Sequence, residues 1–301
     1  MTTPDELFSQ LRALAASQPE GHAMYALLDS AIYAGATASD GVGLYGNLAA
    51  QLPGARMASL FAHAFDDTRT EASPLLVSLP DLDGELTGRL VALADRYSLA
   101  SWLWSPLSMD DLARHLAAFI RAEFGGTAVM LRPYDPRIMA DTIACFDPAR
   151  QAALMAPVEA WAYFDGDEAL KRLPRPFGQP SPMGVTEAIK LSRGEQQRLE
   201  HLANRIALEG YIESHAPVVF DSLSVAERKI FCDDQIKIGA RLSTDSMADL
   251  LIIATLSYAH GAQWIDSEAV VPLLQSVMSG AASLNRVATA IDERLNQQQV
   301  S

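Results

Sequence analysis

The chain has 301 residues, 49% hydrophobic content and a formal net charge of −14. Its length and apolar fraction suffice for about two cored domains, which excludes disorder as the overall state. The acidic balance, without a basic stripe, disfavours nucleic acid and anionic membrane surfaces as partners.

In chain order, Asp5 to Ala16 carries Leu7, Leu11 and Leu14 at helical spacing behind Pro4 and an acidic first turn, which predicts an opening helix. Met24 to Asp29 reads as a buried strand, and the Gly-, Ser- and Asp-rich residues 35–43 as a loop. Pro74 to Leu79 and Ser101 to Trp104 are two further short apolar strands. Ser108 is placed to cap a helix whose apolar face is Leu112, Leu116, Phe119 and Ile120, stopped by Gly125-Gly126. Thr127 to Leu131 follows as a strand, then short helices near 137–145 and 148–155, then an aromatic strand from Val158 to Phe164. Strands and helices interleave, so a mixed α/β domain with flanking helices is expected over residues 1–165.

Residues 172–184 hold four prolines and two glycines and mark the centre of a linker expected over 166–188. Beyond it, residues 189–301 read as an all-α lobe. Glu195 to Glu213 shows a Leu199, Leu202, Ile206 stripe. Ser224 and Glu227 have capping-box spacing ahead of Phe231, Ile238 and Leu242. Asp245 to Tyr258 is apolar nearly all round and predicts the central helix of the lobe. Ser267 to Met278 and Ala281 to Leu295 complete it.

Charge is uneven along the chain: residues 1–165 hold 20 acids against 10 arginines and no lysine, the remainder 17 acids against 13 basic residues. An acidic first half suits solubility or the steering of a basic partner. Cys145 and Cys232 lie far apart with no CxxC, so neither a zinc cluster nor a redox pair is indicated. The N-terminus lacks a basic leader, and the most apolar run, Leu250 to Leu256, is too short to span a bilayer, so a cytoplasmic protein is expected.

The nearest approach to a cofactor motif is Gly41-Val42-Gly43-Leu44-Tyr45-Gly46, a GxGxxG with Asp66 about 20 residues on, where a ribose-binding acid belongs. A dinucleotide site needs the first glycine directly after a strand and a helix behind it. Here a polar stretch precedes the loop, and Pro53-Gly54 closes the helix after about two turns. The six histidines include no i,i+3 or i,i+4 pair and no HExxH, and GxSxG is absent. No nucleophile, base and oxyanion hole assemble, so no enzyme, cofactor or metal is expected, with a nucleotide-dependent enzyme on the Gly41–Gly46 loop as the alternative.

The one unusual polar segment is Arg132-Pro133-Tyr134-Asp135-Pro136-Arg137. Two prolines stiffen the backbone around Tyr134-Asp135, and two arginines flank them. It reads as an internal clamp, with Asp135 capping the next helix and an arginine paired to a carboxylate, or as a recognition surface.

An ordered series of residues resembles the type VI secretion effector adaptors that carry a DUF4123 domain. Tyr25 to Asp29 looks like that family's opening strand and Pro74 to Val77 its second. Trp102 through Ser105-Pro106-Leu107-Ser108 looks like its turn, and Leu112 with Arg114-His115-Leu116 the helix that follows. Arg132, Tyr134, Asp135, Pro136 and Arg137 look like its signature, and Pro157-Val158 with Trp161 like the close of the domain. Pro133, Trp104 and Ala156 depart from the usual residues. The resemblance covers about residues 23–162 and implies a non-catalytic chaperone without a cofactor. Such a chaperone binds a cognate secreted toxin in the cytoplasm and helps load it onto a valine–glycine-repeat (VgrG) spike. It also implies a variable helical second lobe. Phe231, Ile238, Tyr258 and Trp264 are the candidates there for partner choice, with burial in the lobe's own core as the other reading.

Overall fold

The computed structural model describes residues 4–36, 43–65, 72–164, 170–175 and 188–300. The chain divides into two compact units, Met1–Leu199 and Glu200–Ser301.

The first unit contains, in order, α1 (Pro4–Ala16), β1 (Ala23–Asp29), α2 (Ser30–Ala36), α3 (Leu44–Gln51), β2 (Met57–Ser59), α4 (Leu60–Phe65) and β3 (Pro74–Ser78). There follow α5 (Glu85–Tyr97), β4 (Ala100–Ser105), α6 (Met109–Ala117), β5 (Arg121–Phe124), β6 (Thr127–Met130), α7 (Met139–Ala144) and α8 (Pro148–Met155). The unit closes with β7 (Ala160–Tyr163), β8 (Lys171–Arg172), β9 (Ile189–Lys190) and the start of α9 (Arg193–His215). Six strands form one sheet in the order β2-β3-β1-β4-β7-β8, every pair antiparallel. A smaller sheet, β6-β5-β9, joins an antiparallel hairpin to one parallel neighbour.

Side chains alternate across a strand, so the apolar runs supply both faces of the large sheet. Tyr25, Leu27, Leu76, Leu103 and Trp161 enter one core, with Leu60 of α4, Leu112 and Leu116 of α6 and Leu154 of α8. Met24, Ala26, Leu28, Leu75, Val77, Trp102 and Trp104 enter the other, with Leu7 and Leu11 of α1, Leu44 and Leu48 of α3 and Leu90 of α5. Helices cover both faces, and for that reason the strands read as continuous apolar stretches rather than alternating ones.

Ser108 caps α6 as expected, its Oγ accepting from the Asp111 N–H at 3.2 Å. That helix ends at Ala117, however. Phe119 and Ile120 are core residues at the entry to β5, and Gly125-Gly126 is a hairpin turn rather than a helix stop. Helix α5 and the short elements α2, α4 and β2 were not read from the sequence. Within the expected linker, Lys171–Arg172 pairs with β7 and Leu173 is buried in the first core; residues 166–169 and 176–187 of it lie outside the described residues. The contact division falls later, at Leu199, inside α9.

The second unit is helical: the rest of α9, a 3-10 turn at Pro217–Phe220, α10 (Val225–Arg241), α11 (Met247–His260), a 3-10 turn at Ala262–Asp266, α12 (Val271–Met278) and α13 (Leu284–Val300). The capping box holds: Ser224 Oγ accepts from the Glu227 N–H, and Glu227 accepts from the Ser224 N–H at 2.8 Å. Gly239 lets α10 and α11 approach closely, since a Cβ there would stand 2.6 Å from Leu250 Cδ2 and 2.9 Å from the Thr244 carbonyl oxygen. No helix of the described residues is long and apolar enough to cross a membrane.

Candidate functional site

Strand β1 ends on an aspartate that water does not reach. Asp29 follows the run Met24 to Leu28, and its side chain is 0% exposed. Its N–H donates to the Leu99 carbonyl at 2.8 Å, and its Oδ1 accepts the Ala31 N–H at 3.0 Å, which opens α2. A carboxylate in such a place requires an opposite charge. Arg132, 103 residues away in sequence, supplies it: Nη2 donates to Asp29 Oδ2 at 2.6 Å.

The segment Arg132–Arg137 forms the loop between β6 and α7. Two tight turns fold it, the Asp135 N–H donating to the Arg132 carbonyl at 3.2 Å and the Ile138 N–H to the Asp135 carbonyl at 3.1 Å. The prolines at 133 and 136 are buried and suit such turns. Asp135 is a second buried carboxylate. Arg137 grips it with both prongs, Nε to Oδ1 at 3.0 Å and Nη2 to Oδ2 at 2.9 Å, and the Arg137 backbone N–H adds a third bond at 3.1 Å. Arg132 Nη2 also lies 3.1 Å from Asp135 Oδ2, so one guanidinium bridges both acids. Burial alone disfavours the charge on Arg132, but Asp29 and Asp135 outweigh it and hold its pKa above the ordinary arginine value. Tyr134 is buried between these groups. Burial first, then the Asp29 carboxylate, pushes its phenol well above the usual range, against the pull of Arg132.

The predicted clamp is therefore real in its arginine–carboxylate pairing and wrong in its cap. Asp135 does not cap α7, whose N-cap is Ile138 with no side-chain bond; it binds the Arg137 N–H within its own turn. Asp29 is the partner that sequence reading missed; its signal was an acid closing an otherwise apolar strand. Trp102 does not join the group. It is fully buried in β4 on the opposite face of the sheet from Tyr134, and its indole N–H has no hydrogen-bond partner among the described residues.

Chemically, two permanently charged guanidiniums saturate two carboxylates. What remains for the outside is the solvent side of Arg132, 34% exposed, and of Arg137, 49% exposed. Forked donors of this kind suit hydrogen-bond acceptors on another molecule.

In the second unit the four candidate contact residues separate. Ile238 and Trp264 are buried in the core, Trp264 donating its Nε1–H to Ser257 Oγ at 3.0 Å, and so they are not surface residues. Phe231 is half-buried, edge-on to Phe220 with centroids 6.3 Å apart. Only Tyr258 stands exposed. Sequence reading missed Val218, Ile230, Val271 and Met278, which are exposed apolar residues of this unit; Ile230 is the most open at 62%.

Gly43 is the N-cap of α3, and among the described residues the element before it is helix α2; Gly41, Val42 and Asp66 of the glycine motif lie outside the described residues. A cleft of about 540 Å³ beyond the other end of α3 is lined by Gln51, Leu52, Arg56, Ser78, Glu85 and Leu86 and gathers no catalytic set. Both cysteines are buried thiols, with Cys232 pushed up to about 12 by burial and then by Glu209 and Asp233. Burial pulls His115 below the usual histidine value, against the Leu154 carbonyl that its Nε2 meets at 2.9 Å. Among the described residues no group of three or more His, Cys, Asp or Glu could hold a metal ion.

Residues 24–153 match the family model described as domain of unknown function (DUF4123). The matched span begins in β1, ends in α8 and contains Asp29, Trp102 and all of Arg132–Arg137. No curated protein and no solved structure matches the chain.

Proposed function

From the DUF4123 domain carried by residues 24–153, we propose that this chain is a non-catalytic adaptor of the type VI secretion apparatus. It binds a cognate toxic effector in the cytoplasm and assists its loading onto a VgrG-type spike, without cofactor, nucleic acid or membrane insertion. The observation that carries this reading is the ordered series from Tyr25 to Trp161, with the Arg132–Arg137 signature built into a buried ion cluster. Exposed Ile230 and Tyr258 on the helical unit support it, because an adaptor has to offer apolar surface to its cargo.

Co-expression with the product of the neighbouring effector gene tests the proposal. The effector is expected to co-purify with this chain and to lose solubility and delivery when the chain is deleted. An effector that is equally soluble and equally delivered in the deletion strain would sink the reading.

A further inference from the structure

The hairpin β5–β6 leaves one side of its second strand open. Gly125 at φ 55° and Gly126 at φ 83° form the two-residue turn, and positive φ at both positions is the geometry that a right-twisted hairpin needs. Its register pairs Phe124 with Thr127, Ala122 with Val129 and Arg121 with Met130. The Leu131 N–H donates to the Ile120 carbonyl at 2.8 Å. Inward hydrogen bonds therefore belong to residues 127, 129 and 131, and alternation turns the N–H and C=O of Ala128 and Met130 outward. No described strand pairs there, because β6 is terminal in its sheet.

Proteins guard such edges with charge, proline, bulges or short length. The large sheet does so by length, its edge strands β2 and β8 having three and two residues. Strand β6 has four residues, Thr-Ala-Val-Met, with neither charge nor proline, and Met130 is 49% exposed.

We propose that this edge pairs with the same edge of a second copy of the chain, joining two hairpins into one antiparallel ribbon. The strand is self-complementary about Val129. A two-fold axis there sets Ala128 against Met130 of the second copy and Met130 against its Ala128, each pair exchanging two backbone hydrogen bonds. The solvent-face rows are complementary as well. Glu123 neighbours Ala128, and Arg121 neighbours Met130. Each row across the ribbon thus runs from Glu123 of one copy, over Ala128 and Met130, to Arg121 of the other. Opposite charges stand at the ends and apolar side chains in the middle. A strand pair this short buries less than the ~1,200 Å² of a stable interface. The association is therefore concentration-dependent, and because each copy carries −14, added salt strengthens it by screening their repulsion.

Sedimentation equilibrium of the full chain from micromolar to millimolar concentration tests this, together with hydrogen exchange at Ala128 and Met130. The expected result is a mass that rises from 32.5 kDa toward twice that value, more so in high salt, with both amides gaining protection. Ala128→Pro removes an outward donor and no inward one, so it is expected to keep the melting temperature and hold the chain at monomer mass. Should that variant misfold, Met130→Lys sets a new cation beside Arg121 and reads the same edge. A monomer at every concentration and salt overturns the proposal, as does a dimer that these variants leave intact. Protection of both amides only when an effector is co-expressed also overturns it, and would make the occupant a partner's strand.

Discussion

Arg132 spans the two buried acids of the first unit, and each of them depends on it differently. Asp135 keeps three bonds from Arg137 without it, whereas among the described residues the bond that Asp29 keeps is that of the Ala31 N–H. Arg132→Ala therefore strands Asp29 more than Asp135. Because the guanidinium is 34% exposed, water recovers part of the loss, and the expected cost is about 2 kcal/mol, read as a fall in the urea midpoint. Arg132→Lys is expected to recover less than half of it, since an ammonium lacks the planar fork. Asp29→Asn tests the same contact from the other side and is expected to be less harmful than Arg132→Ala, because it leaves no buried charge behind. The sequence reading paired an arginine of this segment with a carboxylate, but it did not show which acid Arg132 would reach: a hydrogen bond across 103 residues leaves no local pattern.

At the scale of elements, two contacts decide how helices are held. Ser192 and Glu195 form a capping box at the head of α9, the Ser192 N–H donating to Glu195 Oε2 at 2.8 Å and the Glu195 N–H to Ser192 Oγ at 3.3 Å. The same glutamate ties α8 to α9, accepting the Asp147 N–H at 3.0 Å and Arg150 Nε at 2.7 Å. Burial alone would raise its pKa; the bonds from Arg150, Asp147 and Ser192 outweigh that and lower it. A carboxylate whose folded pKa lies below the unfolded value of about 4.3 contributes stability above that pH and loses it as pH falls through the folded value. Glu195→Gln is accordingly expected to flatten the acid limb of stability, followed by urea unfolding between about pH 3 and 6. In the second unit, Gly239→Ala drives a methyl against Leu250 and the Thr244 carbonyl. The α10–α11 contact must open, at an expected cost of about 2 kcal/mol, measured by calorimetry. The Ser224–Glu227 box was legible because its spacing stands ahead of a long apolar pattern. Helix α5 was not read although Leu86, Leu90 and Ala94 repeat at helical spacing, and β5 was absorbed into the preceding helix because Phe119 and Ile120 continue its period.

At the scale of the whole chain, each unit has its own core, and on the adaptor proposal partner choice falls to what those cores leave outside. Ile230 is 62% exposed on α10, so its apolar side chain contributes little to folding. Ile230→Asp is expected to move the melting temperature by no more than about 2–4 °C, a surface change being worth under ~0.5 kcal/mol. On the adaptor proposal it lowers retention of the effector on an affinity column by about tenfold. Equal retention would move the contact surface elsewhere. The sequence by itself determined the class of each half: continuous apolar strands interleaved with helices, then amphipathic helices alone. Those are local properties, fixed by period, turn chemistry and capping, and they survive without knowledge of what packs where. Only the tertiary structure decided that Trp102 and Tyr134 occupy opposite faces of one sheet, that Asp29 receives Arg132, and that Trp264 is core while Ile230 is surface. The physical reason is that burial and ion pairing depend on which faces meet, and an aromatic or aliphatic side chain has the same local signature whether its face is covered or open.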